Sequence, residues 1–126
     1  MNNEQKAVLE FHKAFNCLIA NKPTIPDANT AKLRISLIQE ELNELEKAFA
    51  DRDIVEIADA IGDLLYVVYG SAVSCGIDAE PIFEEIQRSN MTKVGGWVRE
   101  DGKYMKPSTY SPTNLLPILE DQGFVR

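Results

Sequence analysis

Two short stretches of this chain hold the residues best able to do chemistry. Glu40, Glu41 and Glu44 fall within five residues, and Glu56, Asp59 and Asp63 follow at intervals close to one helical turn. On a helical wheel with Glu40 at zero, Leu33, Ile35, Leu37, Ile38, Leu42, Leu45, Ala48 and Phe49 span an arc of about 20° to about 220°, the expected buried face. Glu44 at about 40° and Glu41 at about 100° interrupt that face, and Glu40 sits on its edge. With Asp63 at zero, Asp59 at about 320° and Glu56 at about 20° make a second acidic stripe.

A carboxylate among apolar neighbours must be protonated, paired or bound to metal. Pairing is scarce, since no Lys, Arg or His lies between Arg52 and Arg88, and the first acidic segment offers only Arg34 and Lys47 nearby. An all-oxygen donor set suits Mg²⁺, with Mn²⁺ as a substitute, better than zinc. A di-iron bundle would need Glu-x-x-His motifs, and His12, the single histidine, lies outside any. Acidic residues on helices are also commonly a plain solvated face, and periodicity does not separate the two readings. Lys93, Lys103 and Lys106 add weight to the metal reading, because carboxylate-held metal facing ammonium groups is how a protein grips a polyphosphate.

The elements that must position these groups read as helices. Residues 3–20 place Val8, Phe11, Phe15, Leu18 and Ile19 at helical spacing, and NKPTIPDANT is a connecting loop with two prolines. A second helix is expected from Thr30 to Ala50, with a break at Asp51-Arg52-Asp53. Asp53 then caps a third helix that Gly76 stops after Cys75, and Asp78 caps a fourth that fades near Thr92. Beyond Gly95 the helical period disappears, four of the seven glycines cluster there, and Asp101-Gly102 can close a small hairpin. The expected architecture is therefore all-α, a bundle of four to five helices with an irregular C-terminal tail. Residues 1–94 would form the helical metal-binding core, and residues 95–126 would pack on it within the same domain.

At 126 residues, with 44% apolar and 26% charged side chains, the chain has the composition of one globular domain. A formal charge of −7 argues against a nucleic-acid polymer as partner. The stretch from Ile57 to Ile77 is apolar, yet Asp59, Asp63 and three glycines make it a poor membrane span, so no membrane association is expected. The N-terminus lacks a basic start followed by an apolar run, so no signal peptide is expected and a cytoplasmic location follows. Cys17 and Cys75 lack metal or redox spacing and read as buried free thiols in apolar helices.

Glu40-Glu41-Leu42-Asn43-Glu44 followed by a second acidic helix resembles the EExxE…ExxD signature of the all-α nucleoside triphosphate pyrophosphohydrolases. That superfamily includes MazG-like proteins, dimeric dUTPases and phosphoribosyl-ATP pyrophosphohydrolases. The likeness extends to Glu10-Phe11-His12, to Asp63-Leu64-Leu65-Tyr66, to Arg88-Ser89-Asn90-Met91-Thr92-Lys93, and to Asp101-Gly102-Lys103 with Lys106-Pro107 and Tyr110-Ser111-Pro112. It implies hydrolysis of a (deoxy)nucleoside triphosphate to the monophosphate and pyrophosphate, in nucleotide-pool house-cleaning, with dUTP and dCTP as first candidates. By this resemblance Glu41, Glu44 and Asp63 would ligate Mg²⁺, and Glu40 would be the water-orienting base. Asn90, Lys93, Lys103, Lys106 and Tyr110 would contact the nucleotide or its phosphates. The motif's glutamate three residues before Asp63 is replaced by Ala60, so Asp59, together with Glu56, is expected to take over its ligand role.

The rival reading is a catalytically inactive helical dimerisation module, or a Mg²⁺-nucleotide-binding module without turnover, with Ala60 as the mark of lost activity. The third helix is apolar nearly all round, which asks for neighbours on several sides, and the resemblance likewise implies a homodimer or a dimer of dimers. His12 is expected to be an ordinary, partly buried histidine, and Trp97 and Tyr104 to pack the tail onto the helices.

Overall fold

The computed structural model describes residues 1–126 and contains five helices, α1 (Asn3–Ala14), α2 (Ala28–Ala50), α3 (Ile54–Cys75), α4 (Ala79–Met91) and α5 (Leu116–Asp121). Trp97–Val98 (β1) and Tyr104–Met105 (β2) pair antiparallel around the turn at Asp101-Gly102. The molecule is thus all-α with an irregular C-terminal region.

Local chemistry sets most boundaries. The Asp27 carboxylate accepts from Thr30 N at 2.6 Å, Asp53 from Val55 N and Glu56 N, and Asp78 from Glu80 N. Each satisfies helix-start amides that have no partner inside the helix. Gly76 ends α3 with φ +69°, and a Cβ there would stand 2.1 Å from the Lys22 carbonyl oxygen. Backbone conformation and contact both require glycine, so Gly76→Ala is expected to cost about 2 kcal/mol or more, read as a lower midpoint in urea unfolding.

Helix α1 is shorter than its apolar spacing suggests. It stops at Ala14, and Asn16 takes φ 57°, which reverses the chain. The reversal delivers the Leu18 carbonyl to two buried groups, the His12 ring at 3.0 Å and the Ser74 hydroxyl at 3.0 Å. Cys17 therefore lies in the connection rather than in a helix, and both cysteines are free and half-buried rather than buried. His12 itself is buried, at 2% exposure.

Helices α2 and α3 form a hairpin about Asp51–Asp53, and α1 packs against α3. A three-residue link sets positions whose numbers sum to about 104 opposite one another. Glu41 then faces Asp63, Glu44 faces Ala60, and Arg34 faces Gly70. Ala48 and Ala60, both buried, let the two backbones approach. At the far end of α3, buried Gln5 donates to the Ile77 carbonyl and accepts from Ala79 N, while Gln122 after α5 makes the matching pair of bonds with the Asp78 backbone.

The expected buried arc of α2 is largely open. Leu33, Ile35, Leu42 and Phe49 are all exposed, as are Ile54, Val55 and Leu65 of α3. Only ten residues in the chain are buried. The accessible surface is 8985 Å², whereas a folded monomer of this mass shows about 6,700 Å². A reason lies in α4, which leaves α3 with a bend of 114° and so does not lie along the hairpin. Phe83 and Met91 on α4 are exposed in turn. No single helix is long and apolar enough to cross a membrane.

The tail attaches mainly through α4. Glu85 and Arg88 form a two-point ion pair, Arg88 also donates to Ser111 and Pro112, and Glu85 accepts from Asn114 N. These partners hold the Glu85 carboxyl down to about 2. Ser89, buried, donates to the Ser111 carbonyl at 2.8 Å. Tyr104 reaches the Lys93 carbonyl through its hydroxyl at 2.6 Å, whereas Trp97, expected to pack the tail onto the helices, is 57% exposed.

Candidate metal and phosphate site

The six carboxylates named from the sequence line one groove of about 190 Å³ between α2 and α3. Glu40, Glu41 and Glu44 come from α2, Glu56, Asp59 and Asp63 from α3, and Ala60 is the single apolar residue of the lining. Helical repeat explains this. Residues 40, 41 and 44 lie on adjoining faces of one turn, and 56, 59 and 63 line one side of the opposing helix.

None of the six forms an ion pair. Lys47 is bound to Asp51 at 2.7 Å, and Arg34 is turned to the Val67 carbonyl and the Ser71 hydroxyl. Glu41 is half-buried, and Glu40, Glu44, Glu56, Asp59 and Asp63 are exposed, so Glu44 does not lie in a buried face as the wheel suggests. Loss of hydration pushes the Glu41 carboxyl above its ordinary value, and the negative charges of Asp63, Glu40, Glu44 and Asp59 add to that rise. No three of the carboxylates converge closely enough to hold one ion as they stand. Like charges on exposed, rotatable side chains spread apart, and a cation would have to draw them together by rotation about their χ angles. The donor set fits a hard divalent cation: all oxygen, with no cationic side chain in the lining.

The five residues expected at the nucleotide or its phosphates lie elsewhere. Lys93 is bonded to Asn90 Oδ1 at 2.8 Å, and the ammonium groups of Lys93 and Lys106 sit over the Tyr110 ring at 5.9 and 4.5 Å. Lys103 is exposed in the hairpin. None lines the acidic groove. Asp63 lies about 18 Å along α3 from its end, and α4 leaves at 114° rather than running back along the hairpin.

Arg34 is the residue that sequence reading undervalues. Counted among the possible carboxylate partners, it is instead 9% exposed beneath Gly70, where a Cβ would stand 2.1 Å from its Nη2. Its place at about 120° on the α2 wheel, in the middle of the apolar arc, was the available signal.

An all-α hairpin whose two helices present six carboxylates without an ion-pair partner to one groove offers a donor set suited to a hard divalent cation. The chain belongs to the phosphoribosyl-ATP pyrophosphohydrolase family, which it matches over residues 8–90, and so to the MazG-like all-α superfamily. It is also 40% identical over 79 residues to uncharacterized protein L479 of Acanthamoeba polyphaga mimivirus, a match covering 60% of this chain and 32% of that protein. The chain therefore spans about a third of the length of this curated relative. The family match contains all six groove carboxylates together with His12 and Arg34, and it ends at Asn90, before Lys93 and the tail.

Proposed function

We propose that this chain is a nucleotide pyrophosphohydrolase that cleaves a nucleoside triphosphate between its α and β phosphates, releasing the monophosphate and pyrophosphate in nucleotide-pool house-cleaning. The observation that carries this reading is the groove lined by six carboxylates and no cationic side chain, inside the span that matches the family. Glu41, Glu44, Asp59 and Asp63, with Glu56, would hold Mg²⁺, or Mn²⁺ in its place. When bound, the cation neutralises phosphate oxygens and offsets charge as the anhydride bond breaks. Glu40 orients the attacking water and takes its proton as the new P–O bond forms and the bond to the bridging oxygen breaks. Asn90, Lys93, Lys103, Lys106 and Tyr110 supply the counter-charge and hydrogen bonds to the polyphosphate.

The excess surface and the open apolar faces of α2, α3 and α4 support a homodimer or a dimer of dimers. Assembly would cover those faces and give the cations of α4 and the tail a route to a groove they do not reach within one copy. Light scattering at micromolar concentration is expected to give at least twice 14.1 kDa, about 28 kDa, and a single-chain mass would contradict it. Neither a nucleic-acid polymer nor a membrane is expected as partner, and a cytoplasmic place follows from the substrate.

Pyrophosphate release from a panel of nucleoside triphosphates, including dUTP and dCTP and extended to phosphoribosyl-ATP, with and without Mg²⁺, tests the activity. A second reading, nucleotide binding without turnover, draws on buried Ala60 in the groove. Calorimetric affinity for a non-hydrolysable analogue, with no product from any member of the panel, would establish it instead.

A further inference from the structure

A second cavity, of about 480 Å³, opens between α1, α2 and α3 one helical turn from the acidic groove. Leu37 on its wall precedes Glu41 by four residues, and Tyr66 follows Asp63 by three. Its buried polar side chains are His12 at 2% exposure, Arg34 at 9% and Ser74, whose hydroxyl donates to the Leu18 carbonyl, and Asn16, Thr30 and Tyr66 add polar groups on the wall. Every fully enclosed side-chain nitrogen and oxygen in this molecule has a hydrogen-bond partner. Arg34 donates through Nη2 to the Val67 carbonyl at 2.9 Å and through Nε to the Ser71 hydroxyl at 3.4 Å, which leaves Nη1 without a partner. Nη1 is therefore not fully enclosed, and Arg34 lines this cavity. The same argument applies to His12, whose Nδ1 faces the Leu18 carbonyl. A carbonyl can only accept, so Nδ1 carries the proton and Nε2 is an acceptor without a partner, on a side chain that also lines the cavity.

A guanidinium held away from bulk water without a carboxylate beside it is costly unless an acceptor comes to it. Six carboxylates lie within about four turns, yet none is bonded to Arg34. Burial holds the His12 ring below its ordinary value, and the Arg34 charge adds to this, so the ring stays neutral and Nε2 stays an acceptor. Arg34 Nη1 thus supplies donors and His12 Nε2 an acceptor near the bare α-carbon of Gly70, which also lines the cavity. Phe11 and Tyr66 meet edge to face beside them, with centroids 5.6 Å apart.

We propose that this cavity seats the nucleobase of the substrate, with Arg34 Nη1 and His12 Nε2 reading an edge that sets an acceptor beside an N–H donor. The nucleotide identity of the ligand rests on the pyrophosphohydrolase reading; the cavity's polarity and shape do not. A base bonded to Arg34 and His12 would direct its sugar along the α2–α3 seam toward the carboxylates.

The test is calorimetric binding, in Mg²⁺, of dUMP, dCMP, dGMP and dAMP, and of tripolyphosphate as a probe without a base. It uses wild type, Arg34→Gln, and Thr30→Trp, which fills the cavity from its wall without removing a buried group. Both variants are expected to weaken the tightest monophosphate at least tenfold and to hold tripolyphosphate within twofold of wild type. Equal losses for the monophosphate and tripolyphosphate, or unchanged monophosphate binding in Thr30→Trp, would overturn the assignment. So would wild-type affinities that are the same for all four monophosphates. Failure of the enzymatic reading shows separately, as wild type that binds a monophosphate selectively yet releases no pyrophosphate from any triphosphate.

Discussion

Replacing Glu41 by Gln or Asp63 by Asn is expected to lower Mg²⁺-dependent pyrophosphate release by about a hundredfold or more. Residues that merely support a metal ligand are worth about 10- to 100-fold, and these two are placed as ligands themselves. They oppose each other across the hairpin, and Glu41 is the one groove carboxylate that is half-buried. Far-UV circular dichroism should be unchanged, because neither side chain forms an ion pair. The metal-free variants should melt no lower than wild type, since each removes a charge that its neighbours repel. Full turnover in either variant would remove the groove from the reaction. Loss of turnover together with loss of helicity would mean that the carboxylates serve the fold, and Glu40→Gln, exposed at the groove's rim, would then separate the roles.

What the sequence discloses about this protein is what is settled locally. The caps at Asp53 and Asp78, the stop at Gly76 and the turn at Asp101-Gly102 each depend on a few adjacent residues, and each appears where side-chain chemistry places it. The end of α1 does not, because Phe15, Leu18 and Ile19 continue a helical spacing while Ser74, fifty-six residues on, bonds the Leu18 carbonyl. Helix α5 was hidden for a similar reason. Its six residues carry Pro117 in the first turn and no side-chain cap, and Gln122, just beyond its end, ties this region to Asp78.

The candidate site divides along the same line. Carboxylates one turn apart on two consecutive helices meet because a three-residue link leaves the helices no alternative to a hairpin. Whether Lys93 meets them depends on the angle at which α4 departs, and Gly76 and the Gln5 and Gln122 bonds set that angle. No spacing rule reports it. Wheels sort residues by direction and not by what lies in that direction, so Leu33, Ile35 and Phe49 read as core although one copy of the chain offers nothing to cover them. Arg34 was misjudged by the same logic, as a cation near carboxylates in number and turned away from them in space.

Divalent cation should stabilise the wild-type protein strongly and in a pH-dependent way. A ligand at 100 times its dissociation constant adds about 2.7 kcal/mol, which for a domain of this size raises the melting midpoint by about 10 °C. The sign of the pH effect follows from Glu41. Its carboxyl is raised in the folded state, by lost hydration first and by the surrounding carboxylates second, so the fold binds that proton more tightly than the unfolded chain does. The stability this group contributes without metal is fully present below its unfolded value of 4.5 and is lost as pH rises through the higher folded value. Metal acts in the opposite sense, because a carboxylate must shed its proton to ligate. The gap between melting curves with and without Mg²⁺ or Mn²⁺ should therefore be small near pH 4 and widen across that window. In Glu41→Gln the gap should shrink and lose most of its dependence on pH there. A gap that is constant with pH, or one that survives in full in Glu41→Gln, would place the cation away from this groove.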